Sequence, residues 1–218
     1  IGNRILTRYR QTTDLLLMEG ALPWQIDTAM EGFGMAMGPY AVQDLSGLDI
    51  AYANRQRKAL RTKPGIRYIP IADRMVEDLK RLGRKTGAGW YDYDGSTRKP
   101  SAVVEALVQD CATLAGVPRR FISDDDIRDR AILAMIEEGL HILEEGIARH
   151  PADIDLVLVH GYGFPRWRGG PMHYADRLGL PTVLDRLTAL AAEDPLSWRA
   201  PALLKSLIAT GKPLASLN

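Results

Sequence analysis

Three kinds of residue in this chain have the type and spacing that chemistry needs. They are glycine-rich turns, a set of histidines, and single amides or carboxylates at helix starts. The first turn is Gly32-Phe33-Gly34-Met35-Ala36-Met37-Gly38-Pro39. Its Gly-x-Gly invites comparison with a dinucleotide fingerprint. That fingerprint needs a preceding strand, a third glycine three residues on and an acid about 20 residues later. Here a helical pattern precedes, and the third glycine is at 38. The segment instead reads as a tight turn that delivers Gly38-Pro39 to a helix N-terminus. Amides there either hold an anion or are capped by the chain itself. A second glycine-rich stretch is Gly83-Arg84-Lys85-Thr86-Gly87-Ala88-Gly89-Trp90-Tyr91-Asp92-Tyr93. Its Lys85 either meets a phosphate or is an ordinary surface lysine in a loop.

The remaining candidates carry less. His141, His150, His160 and His173 have no spacing typical of zinc ligands, and no cysteine pair helps them, so no metal site is expected. No Gly-x-Ser-x-Gly elbow and no Cys/His pairing marks a covalent nucleophile. Ser123-Asp124-Asp125-Asp126 reads as an N-cap, with Asp126 where a capping box usually carries Glu or Gln. Carboxylates on consecutive helical residues splay apart, so this is a cap and not a cation site. Asn3 stands at a helix start, where a single Asn is ordinarily a cap. Residue chemistry alone does not make it catalytic.

The elements that position these residues are helices. Ile5, Leu6, Tyr9, Leu16 and Leu17 predict a helix from 5 to 19 that stops at Gly20. Pro23 opens a short helix with Ile26, Ala29 and Met30 inward, ending at Gly32. Pro39 opens another, which carries Tyr40, Val42 and Leu45. After Gly47, a further helix runs from Leu48 to about Arg61, and Lys63-Pro64-Gly65 is a turn signal. Ile71, Met75, Val76, Leu79 and Leu82 form a short amphipathic helix. Asp94-Gly95 marks a small hairpin. Val103, Val104, Leu107, Val108, Cys111 and Leu114 define a linking helix. Next comes a long helix ending near Gly146. Helices opened by Pro151, Pro171 and Pro181 lead to a last one with Leu203, Leu204, Leu207 and Ile208, closed by Gly211.

The pattern recurs. Ile1 matches Ile127, Arg4 matches Arg130, Glu19-Gly20 matches Glu145-Gly146 and Ile26-Asp27 matches Ile154-Asp155. Gly161-Tyr162-Gly163-Phe164-Pro165, Gly170-Pro171, Asp176 and Gly179-Leu180 repeat the first glycine-rich loop together with its downstream Asp44 and Gly47-Leu48. Two copies of one unit point to an internal pseudo-dimer, since a solenoid needs at least three. The expectation is an all-α chain with at most a small hairpin in its connecting segment. The first copy spans 1–100, a linking helix 101–122, and the second copy 123–218.

Bulk properties exclude several classes. The 218 residues are 46% hydrophobic and 25% charged, with net charge +1. That is ordinary for a globular protein and gives no field for nucleic acid. No run of about 18 apolar residues exists to span a membrane. The lone Cys111 precludes an internal disulfide and fits a reducing compartment. No signal-peptide pattern opens the chain. Its end, Ala215-Ser216-Leu217-Asn218, is not a Ser-Lys-Leu address, which favours a bacterial cytoplasm over a peroxisome.

These motifs, in this order, resemble the C-terminal part of 3-hydroxyacyl-CoA dehydrogenases, and more narrowly the end of the multifunctional fatty-acid β-oxidation enzymes that also carry an enoyl-CoA hydratase. The matching residues are Gly2-Asn3-Arg4, Glu19-Gly20, Ile26-Asp27, Gly34 to Pro39, Asp44 to Asp49, Gly83 to Tyr93, Gly161 to Pro165 and Gly169-Gly170-Pro171. The resemblance implies two tandem helical domains arranged like the homodimer of single-unit relatives, and a monomeric chain. It implies an NAD-dependent oxidation of 3-hydroxyacyl-CoA to 3-ketoacyl-CoA. NAD would sit on a Rossmann domain that this chain lacks, together with the catalytic His–Glu pair. No cofactor would be bound here, and the acyl-CoA cleft would be shared with that domain. The chain would be a fragment, inactive alone. Asn3 would hydrogen-bond the substrate oxygen or hold the catalytic His, and Asp129, its counterpart, would be non-catalytic. The rival expectation is a helical adaptor or dimerisation module without catalytic duty.

Overall fold

The computed structural model describes residues 1–58 and 67–218. Among them are eleven α-helices and one two-stranded hairpin. In chain order the helices are α1 Gly2–Glu19, α2 Pro23–Phe33, α3 Pro39–Ser46, α4 Leu48–Arg57 and α5 Ile71–Glu77. They continue as α6 Ala102–Leu114, α7 Asp124–Glu144, α8 Pro151–Gly161, α9 Pro171–Leu178, α10 Leu180–Glu193 and α11 Ala202–Ala209. The strands β1 Tyr91–Asp94 and β2 Thr97–Pro100 pair antiparallel, Asp94 opposite Thr97, around the turn that Asp94-Gly95 predicts. The chain is all-α with a small hairpin, as the periodicity indicates. The turn at Lys63-Pro64-Gly65 and the helix end near Arg61 lie outside the described residues.

Proline and glycine set most of these boundaries. Pro39, Pro151, Pro171 and Pro181 each fall at the start of a helix, where a missing N–H costs nothing. Ser123 caps α7, its Oγ accepting from Asp126 N at 3.1 Å. Two details depart from the apolar pattern. Helix α5 stops at Glu77, before Leu79 and Leu82, and Lys80 takes a positive φ of 55°. On α3, Leu45 is 60% exposed while the adjacent Asp44 is 1% exposed, so the helix turns a carboxylate inward.

The chain forms two compact units, neither contiguous in sequence. A terminal unit comprises Ile1–Thr12, Phe33–Ala36 and Arg128–Asn218. A central unit comprises Thr13–Gly32 and Met37–Ile127. The bounds expected from the sequence repeat are 1–100, 101–122 and 123–218. Residues 1–12 and 33–36 belong with the second half, and the 101–122 segment belongs to the central unit, where α6 packs on α5. The core of the central unit includes Leu16, Ile26, Met30, Tyr40 and Trp90. That of the terminal unit includes Ile5, Ile136, Leu140, Ile154 and Leu187, all buried.

Within the terminal unit a buried ion pair fixes the start of α1 to α7. Arg8 donates from Nε and Nη2 to Glu137 Oε2 at 2.9 and 2.7 Å. Glu137 Oε1 accepts from Arg199 N at 2.6 Å. The Arg8 guanidinium also donates to Thr12 Oγ1 and the Ser197 carbonyl, and it lies 4.3 Å over the Trp198 ring. Both side chains are nearly out of water, at 11% and 3% exposure. Removing one partner leaves a buried charge, so Glu137→Ala should cost about 3–5 kcal/mol. Urea denaturation would show this as a lowered midpoint; a loss below about 1 kcal/mol would contradict it.

Candidate functional site

Each glycine-rich turn encloses one of the protein's own carboxylates. In the central unit, Asp27 Oδ1 accepts from Tyr40 N at 2.9 Å and Oδ2 from Ala41 N at 2.8 Å. Tyr91 Oη donates to Oδ2 at 2.8 Å. Tyr40 and Ala41 lie in the first turn of α3, so Asp27 occupies the anion position that the Gly38-Pro39 turn offers. Gly38 is required by space: a Cβ there would lie 2.3 Å from Asp27 Cγ.

Its counterpart in the terminal unit repeats this. Asp155 accepts from Met172 N at 2.7 Å and His173 N at 3.0 Å, at the start of α9. A Cβ on Gly170 would meet Asp155 Oδ1 at 2.4 Å.

A second carboxylate pair obeys the same rule. Asp44 accepts from Trp90 N at 2.7 Å, Tyr91 N at 3.0 Å and Tyr93 Oη at 2.9 Å. A Cβ on Gly89 would fall 2.0 Å from Asp44 Oδ1. Arg81 locks the loop, donating to Gly89 O and Tyr91 O. In the terminal unit Asp176 accepts from Leu214 N at 2.7 Å and Ala215 N at 2.9 Å. The Gly83–Tyr93 motif is therefore a cradle for Asp44. Lys85 does not face a free anion site: its Nζ reaches both oxygens of Asp49 at 2.7 Å.

These turns do not fit a dinucleotide. The amides that would receive a pyrophosphate already hold Asp27, Asp155 and Asp44.

The one candidate reaction residue, Asn3, stands apart. It is exposed and lies inside the first turn of α1, which begins at Gly2, so the side chain is not the helix cap. Its Oδ1 accepts from Tyr162 Oη at 3.0 Å. With the oxygen so engaged, the amide Nδ2 remains a donor. The neighbouring Arg4 is anchored to α7, giving Nε to Glu138 Oε1 at 2.6 Å and a two-toothed fork to Glu145 at 2.5 and 3.1 Å. These carboxylates raise the Arg4 pKa, so its charge is permanent. Asp129, the repeat counterpart of Asn3, is instead paired with Arg186 at 2.8 Å.

Nearby in the same unit the two glycine-rich loops meet. Ala36 N donates to Gly163 O at 3.1 Å, and Phe33 packs edge-on against Phe164 with centroids 5.7 Å apart. The histidines do not cluster. His150 Nδ1 lies 3.0 Å from Leu217 O and His141 Nδ1 lies 3.5 Å from Glu144. Among the described residues no three His, Cys, Asp or Glu side chains are placed to share a metal.

Sequence reasoning missed Tyr162. It stands in the repeated Gly161-Tyr162-Gly163 loop, but its partner is 159 residues away, and no local pattern signals that. It also left the four aspartates as repeat markers, although an Asp recurring ahead of each Gly-Pro turn was a usable signal of carboxylate capping.

The fold and these sites define a tandem helical repeat whose turns are held by aspartate carboxylates, buried at Asp27 and Asp44 and half-buried at Asp155 and Asp176. The family model for the 3-hydroxyacyl-CoA dehydrogenase C-terminal domain matches residues 1–93 and again 127–215. The chain belongs to that family. It is 42% identical to the peroxisomal bifunctional enzyme of Danio rerio, over 98% of this chain and 32% of that protein. It is 34% identical to the fatty acid oxidation complex subunit alpha of Psychrobacter arcticus, over 96% of this chain and 30% of that protein. The chain thus spans about a third of the length of these curated relatives. The dehydrogenase part of multifunctional enzyme 1 from C. elegans superposes with TM-score 0.73 at 29% identity, covering 94% of this chain and 46% of that one. Escherichia coli 3-hydroxybutyryl-CoA dehydrogenase shares the fold, with TM-score 0.71 at 19% identity over 97% of this chain and 60% of that one.

Burial raises the pKa of both Asp27 and Asp155 to about 6, although their amide donors pull the other way. A carboxyl with a raised folded-state pKa binds its proton more tightly in the native state. Its contribution to stability is therefore full below the unfolded value and is lost as pH rises toward 6. For the well-buried Asp27 the loss is about 3 kcal/mol. Carboxyl-carbon NMR should show both groups titrating near pH 6; midpoints near the ordinary aspartate value of about 4 would contradict the burial argument.

Proposed function

We propose that this chain is the helical C-terminal region of an NAD-dependent 3-hydroxyacyl-CoA dehydrogenase of fatty-acid β-oxidation, in a multifunctional enzyme. The observation that carries this reading is the double match of one dehydrogenase domain family, at residues 1–93 and 127–215, in a single chain. Similar proteins are named a peroxisomal bifunctional enzyme and a fatty acid oxidation complex subunit alpha, which supports the multifunctional reading. The repeat at 1–100 and 123–218, joined by 101–122, is then one ancestral domain written twice, and the chain needs no second copy of itself.

In this reading the region forms one wall of an acyl-CoA cleft shared with a nucleotide-binding domain. The nicotinamide cofactor supplies the redox chemistry from that domain, not from this chain. Asn3 is the one residue here assigned to the reacting centre. Its Nδ2 donates a hydrogen bond to the substrate oxygen or to a catalytic histidine. A fixed donor stabilises charge as it builds on oxygen, and it does so without reorganising at the moment of reaction. The paired Asp129, charged and bridged to Arg186, has no such donor to offer.

Two assays test this. The 218-residue chain by itself should show no NAD reduction with 3-hydroxybutyryl-CoA, and measurable turnover would overturn the division of labour. In the intact enzyme, Asn3→Ala should lower kcat by about 100- to 1000-fold. An unchanged rate would remove Asn3 from the site.

A further inference from the structure

We propose that Tyr162, from the second repeat, is the positioning residue for Asn3 of the first. This rests on the assignment of Asn3 to the reacting centre and extends it. An exposed Asn amide rotates freely and presents oxygen or nitrogen by turns. Here the Tyr162 hydroxyl, 3.0 Å from Asn3 Oδ1, fixes which end faces outward. A phenolic O–H that donates into the amide oxygen leaves Nδ2 as the outward donor, the polarity that a developing oxyanion needs.

The ring lies against the backbone at the start of α1. A Cβ on Gly2 would sit 2.2 Å from Tyr162 Cε2 and 2.6 Å from its Oη, so the tyrosine lies directly on the Gly2 backbone. With the ring in this position only glycine fits at residue 2, and a larger residue there would displace Tyr162. From below, the backbone is secured by Arg4, whose guanidinium is held by Glu138 and Glu145. Tyr162, Glu138 and Glu145 all come from the second repeat. That repeat is therefore more than a scaffold: it supplies the groups that orient the donor of the first. The matching loop of the first repeat has Phe33 at the corresponding place, which has no hydroxyl to give.

The positioning role separates from a structural one in the intact enzyme through a double-mutant cycle. Tyr162→Phe keeps the ring on Gly2 and removes only the hydroxyl. It should lower kcat by about 3- to 10-fold, the value of one hydrogen bond, with KM for the acyl-CoA and the melting temperature unchanged. In an Asn3→Ala background the same change should have no further effect on kcat, because there is no amide left to orient. If Tyr162→Phe leaves kcat intact in the otherwise wild-type enzyme, or lowers it equally in both backgrounds, the positioning role is overturned while Asn3 keeps its own. If Asn3→Ala is itself silent, the Asn3 assignment fails first, and the role of Tyr162 falls with it.

Discussion

A carboxylate removed from water must find donors, and for four aspartates of this chain the donors are pairs of backbone amides. Asp27, Asp44, Asp155 and Asp176 each receive two successive N–H groups. One carboxylate with two oxygens matches two adjacent amides in geometry as well as charge. Hydrogen bonds to an ionised acceptor are about twice as strong as neutral ones. At Asp27 and Asp44 the donors are buried with the carboxylate and have no water to turn to, so the arrangement there is specific as well as stabilising. It also dictates glycine: at 38, 89 and 170 a side chain would overlap the carboxylate.

The same constraint decides what these loops cannot do. A glycine-rich turn at a helix N-terminus is a general anion site, and phosphate is its common guest. Here the guest is covalently part of the chain. These loops, though rich in glycine, therefore hold the chain's own carboxylates in the place a phosphate would take. Asn3, the residue proposed for the reacting centre, lies outside these loops, exposed in the first turn of α1. The buried pair Arg8–Glu137 and the Arg4 fork to Glu138 and Glu145 give that first turn a rigid base. The proposed role of Asn3 depends on such support, since a small misplacement at a reacting centre is costly.

The helices, their proline starts and the hairpin at Asp94-Gly95 were legible in the sequence, because each is set by local periodicity and local turn chemistry. The repeat was legible because both copies keep the same Asp, Gly and Pro at matching offsets. The features that escaped depend on partners far along the chain. Apolar spacing favours Leu45 as an inward residue, yet the Asp44 carboxylate is drawn inward by amides 46 and 47 residues away. Lys85 reads as a phosphate candidate until Asp49 is seen beside it. Asn3 reads as a cap because a sequence gives no sign that α1 already begins at Gly2. The compact units could not be read either, since residues 1–12 pack with the half of the chain beyond residue 127. Composition and spacing carry no information about that exchange.

Aspartate carboxylates hold the turns of each repeat by accepting from pairs of backbone amides, and equilibrium unfolding of Asp27→Ala, where the carboxylate is buried, tests this most directly at neutral pH. The substitution strands Tyr40 N, Ala41 N and the Tyr91 hydroxyl, and should lower the unfolding free energy by about 2–4 kcal/mol. A variant within about 0.5 kcal/mol of the parent chain, the range of a neutral surface change, and unfolding with the same cooperativity, would contradict the account.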